Sequence, residues 1–221
     1  MIGLIARRVR RRDEGITLVE LVVSTMLGLM IMVTAGALLI SSTQVSSIQA
    51  KSDVNARGAS TAMNAMSRYL HAATTYPTSG GTQAAFVGSM GTSDVTFYAY
   101  VNLVSTAAQP VKVHYYVDST TKMLFEQLYS STYNAATGYW TFSNTPTTVN
   151  LGGPVATPLS DGTPLFVYLD GAGNTTTDPF AVQSVQVSLE YGSSKAGTAG
   201  DTYLTTTVAL LNVGQFGGTS S

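Results

Sequence analysis

Cysteine is absent from the 221 residues. The chain therefore has no disulfide framework, no thiolate metal site and no thiol nucleophile. Charge is scarce as well, with 11 Lys+Arg against 12 Asp+Glu. Five of the basic residues cluster at Arg7, Arg8, Arg10, Arg11 and Arg12. Without residues 1–15 the chain loses those five and two acids, Asp13 and Glu14, and its net charge falls from −1 to −4. So charge-poor and mildly acidic a body lacks the basic surface that displaces counterions, which argues against nucleic-acid binding by it. Histidine occurs only at His71 and His114, with no motif acid or serine beside either. No GxSxG, HExxH or phosphate-loop pattern is present, and the expectation is a non-enzymatic protein with no required cofactor.

Against this scarcity stands one long apolar run. Residues 21–40, LVVSTMLGLMIMVTAGALLI, carry no charge over 20 positions. As a helix they span about 30 Å, the thickness of a hydrocarbon core. The arginines before them place the N-terminus in the cytoplasm and the rest of the chain outside it, as a single-pass membrane protein. The run exceeds a signal-peptide core of about 7–15 residues. No clean small-x-small site closes it, and the helical pattern continues beyond it. Glu20 stands at its head. A lone carboxylate in hydrocarbon costs about 3 kcal/mol even on the lenient insertion scale, so an acid here needs a partner and marks function. The plainer alternative is a side chain that snorkels to the headgroups.

The heptapeptide GITLVEL at residues 15–21 resembles the processing motif of type IV prepilins and type II secretion prepseudopilins. The resemblance implies cleavage between Gly15 and Ile16 by a prepilin peptidase, followed by N-methylation of Ile16. It makes Glu20 the fifth residue of the mature chain. Family members often begin the mature chain with Phe, and this one would begin with Ile. The resemblance further implies that the new amine of Ile16 lies near Glu20 of a neighbouring subunit. Two groups that are poor in lipid alone become tolerable as a pair, so Glu20 would set register in a filament. The implied partners are other pilins or pseudopilins, joined through their N-terminal helices, and an inner-membrane assembly platform. The assembled filament would lie at the cell surface.

No proline occurs before Pro77. Beyond the apolar run, Ala59, Met63, Met66, Leu70 and Ala73 recur at spacings of four and three, one stripe on a helix. Arg57, Asn64, Arg68 and His71 lie off that stripe. The pattern predicts one helix from about Thr17 to Thr74 whose later half packs Met63, Met66 and Leu70 onto a sheet. Gly28, Gly36 and Gly58 are weak helix formers, places for the helix to bend or melt. After residue 75 the period changes to that of strands. They are predicted at residues 94–104, 111–118, 123–130, 138–142, 163–170, 181–191 and 202–213, with DSTTK as a hairpin loop. The fold class is α+β, pilin-like: a long N-terminal helix on an antiparallel sheet. The expected divisions are a leader at 1–15, the helix at 16–75, a β-rich head at 76–213 and a flexible tail at 214–221.

The hairpin VKVHYYVD…MLFEQ, then LFVYLDGAGN, VQSVQVSLEY and TTTVALLN, are similar in order to the larger minor pseudopilins of the J type and to the W-type minor pilins. One loop, DGAGNTTTD, offers Asp170, Asn174 and Asp178 as oxygen ligands for calcium. Its spacing departs from the EF-hand form, and an Asp-Gly turn is the simpler reading. Asn174 also heads an Asn-Thr-Thr sequon. Two function classes follow: a filament subunit, for which Gly15 and Glu20 are required, and a membrane-tethered receptor or adhesin, for which neither is.

Overall fold

A computed structural model describes residues 17–78, 81–101 and 109–213. The expected processing site, Gly15 and Ile16, and the expected tail at 214–221 lie outside the described residues. The chain divides into two compact units, Met1–Ser47 and Ile48–Ser221. A single helix, α1 (Leu18–His71), supplies the described part of the first and the opening of the second.

In the first unit the helix runs unbroken through Gly28 and Gly36. Three of its threonine hydroxyls bond back to the preceding turn: Thr25 Oγ1 donates to Val22 O at 2.9 Å, Thr34 Oγ1 to Ile31 O at 2.9 Å and Thr43 Oγ1 to Ile40 O at 2.8 Å. These polar side chains thus satisfy themselves within the helix, as an apolar surrounding requires.

The second unit is α+β, with antiparallel sheets. Its strands are β1 (Tyr76–Thr78), β2 (Gly81–Gln83), β3 (Phe86–Met90), β4 (Asp94–Tyr100), β5 (Pro110–Val117), β6 (Leu124–Tyr129), β7 (Ser131–Asn134), β8 (Tyr139–Phe142), β9 (Thr147–Gly152), β10 (Phe166–Leu169), β11 (Ser184–Tyr191) and β12 (Thr202–Ala209). They form a five-stranded sheet in the order β3-β4-β5-β6-β9, a three-stranded sheet β10-β11-β12, and the hairpins β1-β2 and β7-β8. The expected single sheet is thus replaced by two sheets and two hairpins. The β5–β6 turn is the expected one: Asp118 Oδ1 accepts from the Thr120 and Thr121 N–H groups at 3.1 and 2.7 Å, and Lys122 takes a φ of 58°.

The helix ends at His71 instead of Thr74 because the sheets claim the next residues. Tyr100 N–H donates to Ala72 O at 3.1 Å, and Thr74 N–H donates to Tyr98 O at 3.0 Å. Ala59, Met63, Met66, Leu70 and Ala73 are all buried in one apolar core with Val95, Phe97, Val113, Leu165, Val187 and Leu189. Beneath the helix, Tyr115 Oη lies 3.2 Å from Ala65 O and 2.7 Å from Glu126 Oε2.

Gly58 is not a point of melting. A Cβ there would stand 2.8 Å from the Tyr191 ring, and one at Gly152 would stand 2.0 Å from Tyr191 Oη. The ring of β11 therefore fits between the helix and the end of β9 only because both sites lack a side chain. Gly58→Ala gains about 1 kcal/mol of helix propensity but overpacks a pinned ring, at about 1–3 kcal/mol. The expected net result is a lower Tm; in a Tyr191→Ala background the same change should raise Tm, and a double-mutant cycle measures the coupling. Met66→Asp buries an unpaired charge and should cost about 3 kcal/mol or more in denaturant unfolding.

Candidate functional site

Residues 29–33, Leu-Met-Ile-Met-Val, are between 62% and 75% exposed. Five consecutive residues cover every side of a helix, so this segment is apolar all round and has no single core-facing stripe. Such a helix belongs in a large core or in lipid. α1 is long and apolar enough to cross a membrane. The exposed apolar area far exceeds the patch of a few hundred Å² that an ordinary soluble monomer shows.

At the head of this segment Thr17 caps the helix. Its Oγ1 accepts the Glu20 N–H at 3.2 Å, and its carbonyl accepts the Leu21 N–H at 3.1 Å. Thr17 is the N-cap and Glu20 the third helical residue, the spacing of a capping box. A carboxylate here also faces the positive end of the helix dipole. The sequence signal of this cap is Thr-Leu-Val-Glu at residues 17–20, directly before the apolar run. Glu20 is exposed, while its expected partner, the amine of Ile16, lies outside the described residues.

The other candidates are dispersed and individually accounted for. Asp170 Oδ1 accepts from the Ala172 and Asn174 N–H groups, each at 2.9 Å. Those bonds hold its carboxyl below the usual aspartate range. Asp178 Oδ1 accepts from Phe180 N–H at 2.9 Å. Both acids thus serve turns. Among the described residues no three His, Cys, Asp or Glu side chains gather to hold a metal. A His71 ring nitrogen lies 3.1 Å from Ala209 O, and His114 lies 3.1 Å from Gln127 Oε1 and stacks on Tyr116. A cleft of about 410 Å³ is lined by Thr92, Ser93, Thr157, Pro158, Gly162 and Pro164, which carry no titratable side chain.

The buried polar pair Tyr115–Glu126 was missed in the sequence. Glu126 occupies the inward position of β6 between Leu124 and Leu128, where alternation calls for an apolar residue. Burial, with the Glu126 charge beside it, pushes the Tyr115 hydroxyl well above the ordinary tyrosine range. It therefore keeps its one proton, which it donates to the carboxylate at 2.7 Å, with the Ala65 carbonyl 3.2 Å away. The pair ties helix to sheet.

No protein-family model matches this chain, and a search of curated proteins finds no relative. Thr17→Ala should remove the cap at about 1 kcal/mol. The amides of residues 20–23 should then exchange faster in detergent micelles, while Thr17→Ser keeps them protected. Equal protection in all three proteins would remove the capping role.

Proposed function

We propose that this chain is a structural subunit, a minor pilin or pseudopilin, of a type IV pilus-like filament or a type II secretion-type pseudopilus. The observation that carries the reading is one continuous helix with two surfaces. Its first part is apolar all round and headed by a single carboxylate. Its last part buries one stripe against the sheets. The first kind of surface suits lipid before assembly and the helices of other subunits after it. The GITLVEL motif adds a processing step, with Gly15 and Ile16 flanking the cut. Glu20, held at the helix start by Thr17, then meets the amine of a neighbour and sets the register. The head, exported, carries the sheets and loops.

The mature protein should begin at Ile16, with a methyl group on its amine, in N-terminal mass analysis. Glu20→Ala should still be inserted and cleaved, since the run only becomes more apolar. Its co-purification with other subunits should fall, and Glu20→Asp should restore it in part because the shorter side chain reaches less far. A mature chain beginning near Ser42, or no cleavage at all, would overturn the reading, and assembly indifferent to Glu20 would instead favour a tethered receptor or adhesin.

A further inference from the structure

The β11–β12 connection, residues 192–201, carries three glycines with positive φ: Gly192 at 128°, Gly197 at 74° and Gly200 at 85°. A connection with that much left-handed backbone has many conformations open to it, so something must select one. Two sets of contacts do so. At one end Glu190, buried, accepts the Ser160 N–H on Oε2 at 2.7 Å and the Gly197 N–H on Oε1. One carboxylate thereby joins this connection to the segment before β10. At the other end the connection lies on the first turns of the helix in the second unit. Asn55 Nδ2 donates to Gly200 O at 2.8 Å, and Lys51 Nζ stands 3.5 Å from Asp201 Oδ1. A Cβ at Gly200 would meet Lys51 Cδ at 3.2 Å and Ile48 O at 3.4 Å.

We infer that residues 192–201 are a strap that fastens helix residues 48–55 to the sheets, and that the Glu190 carboxylate is the group that holds the strap closed. The two ends differ in strength. Charge-assisted hydrogen bonds from backbone N–H groups are among the stronger contacts available. Burial raises the Glu190 carboxyl, but the Gly197 and Ser160 donors outweigh it and hold the group below the usual glutamate range, and so ionised. The helix end is weaker. Lys51 is exposed and its ion pair is long, while Asp201, its side chain 4% exposed, leaves Oδ2 without a partner among the described residues. A buried acceptor without a donor is a standing cost of the closed form. Closure therefore depends on Glu190, and opening frees the strap and the two helical turns beneath it together. This inference is independent of the filament reading.

Amide exchange of the full chain in detergent, followed by mass spectrometry, tests it. Glu190→Gln keeps the size but sets an amide donor against one of the two N–H groups. Exchange should quicken about tenfold or more in residues 192–201 and, with them, in 48–55. Residues 110–129, on β5 and β6, should stay unchanged. Gly200→Ala cuts the other end, because a side chain strains the backbone at a φ of 85° and its Cβ crowds Lys51. It should loosen residues 48–55 and 192–201 while the Ser160 segment stays protected. Loosening of the strap in Glu190→Gln with 48–55 still protected would overturn the inference. If Glu190→Gln unfolds the head, Gly200→Ala decides, and undisturbed exchange at 48–55 in that variant would overturn it equally.

Discussion

The ring of Tyr191 rests against two glycines, Gly58 on the helix and Gly152 at the end of β9, and the second unit is built around that fit. Three separately formed pieces meet there: the helix, the edge of the five-stranded sheet and the central strand of the three-stranded sheet. Close packing admits no extra methyl group at such a point without moving something. The flanking residues extend the junction along β11. Glu190 holds two loops by their N–H groups, and Gly192 brings the backbone against Asn55 and Asp201. Three consecutive residues thus carry much of the link between helix and sheets.

The helix itself obeys two different rules. Over residues 29–33 every side is apolar and exposed, which only lipid or other helices can satisfy. Over the last turns Met63, Met66 and Leu70 form one buried stripe, while Arg57, Asn64 and Arg68 are exposed. The threonine hydroxyls in the first stretch, at Thr25, Thr34 and Thr43, bond to their own helix, and Glu20 is the one ionisable group there among the described residues. An acid whose backbone belongs to a helix cap and whose charge favours the dipole's positive end is locally stable.

Buried ionisable groups in the second unit are held by backbone and hydroxyl donors, with Lys51 beside Asp201 as the one ion pair among the described residues. Glu126 takes the Tyr115 hydroxyl and Glu190 takes two N–H groups. Such bonds satisfy a buried carboxylate and give each contact a direction. They specify where a loop or helix sits more sharply than apolar packing alone.

The amino-acid pattern by itself determined the apolar run, the long helix with its Met/Leu stripe, and seven of the strands, because these depend on periodicity that neighbouring residues carry. Strands β1, β2, β3, β7 and β9 were not legible. They are short, as in YPT and GTQ, irregular at a bulge between Phe86 and Met90, or exposed without alternation, as in TTVNLG. β1, β3 and β7 each pair with the next strand in the chain, and only β9 pairs across intervening strands, with β6. The split into two sheets, the seat of Tyr191 on Gly58, the inward Glu126 and the Glu190 strap were decided only by tertiary structure. Each depends on groups far apart in the chain meeting within a few ångströms. Gly58 shows the difference plainly: local propensity marks it as a weak point of the helix, and the ring packed on it makes it the residue the junction requires.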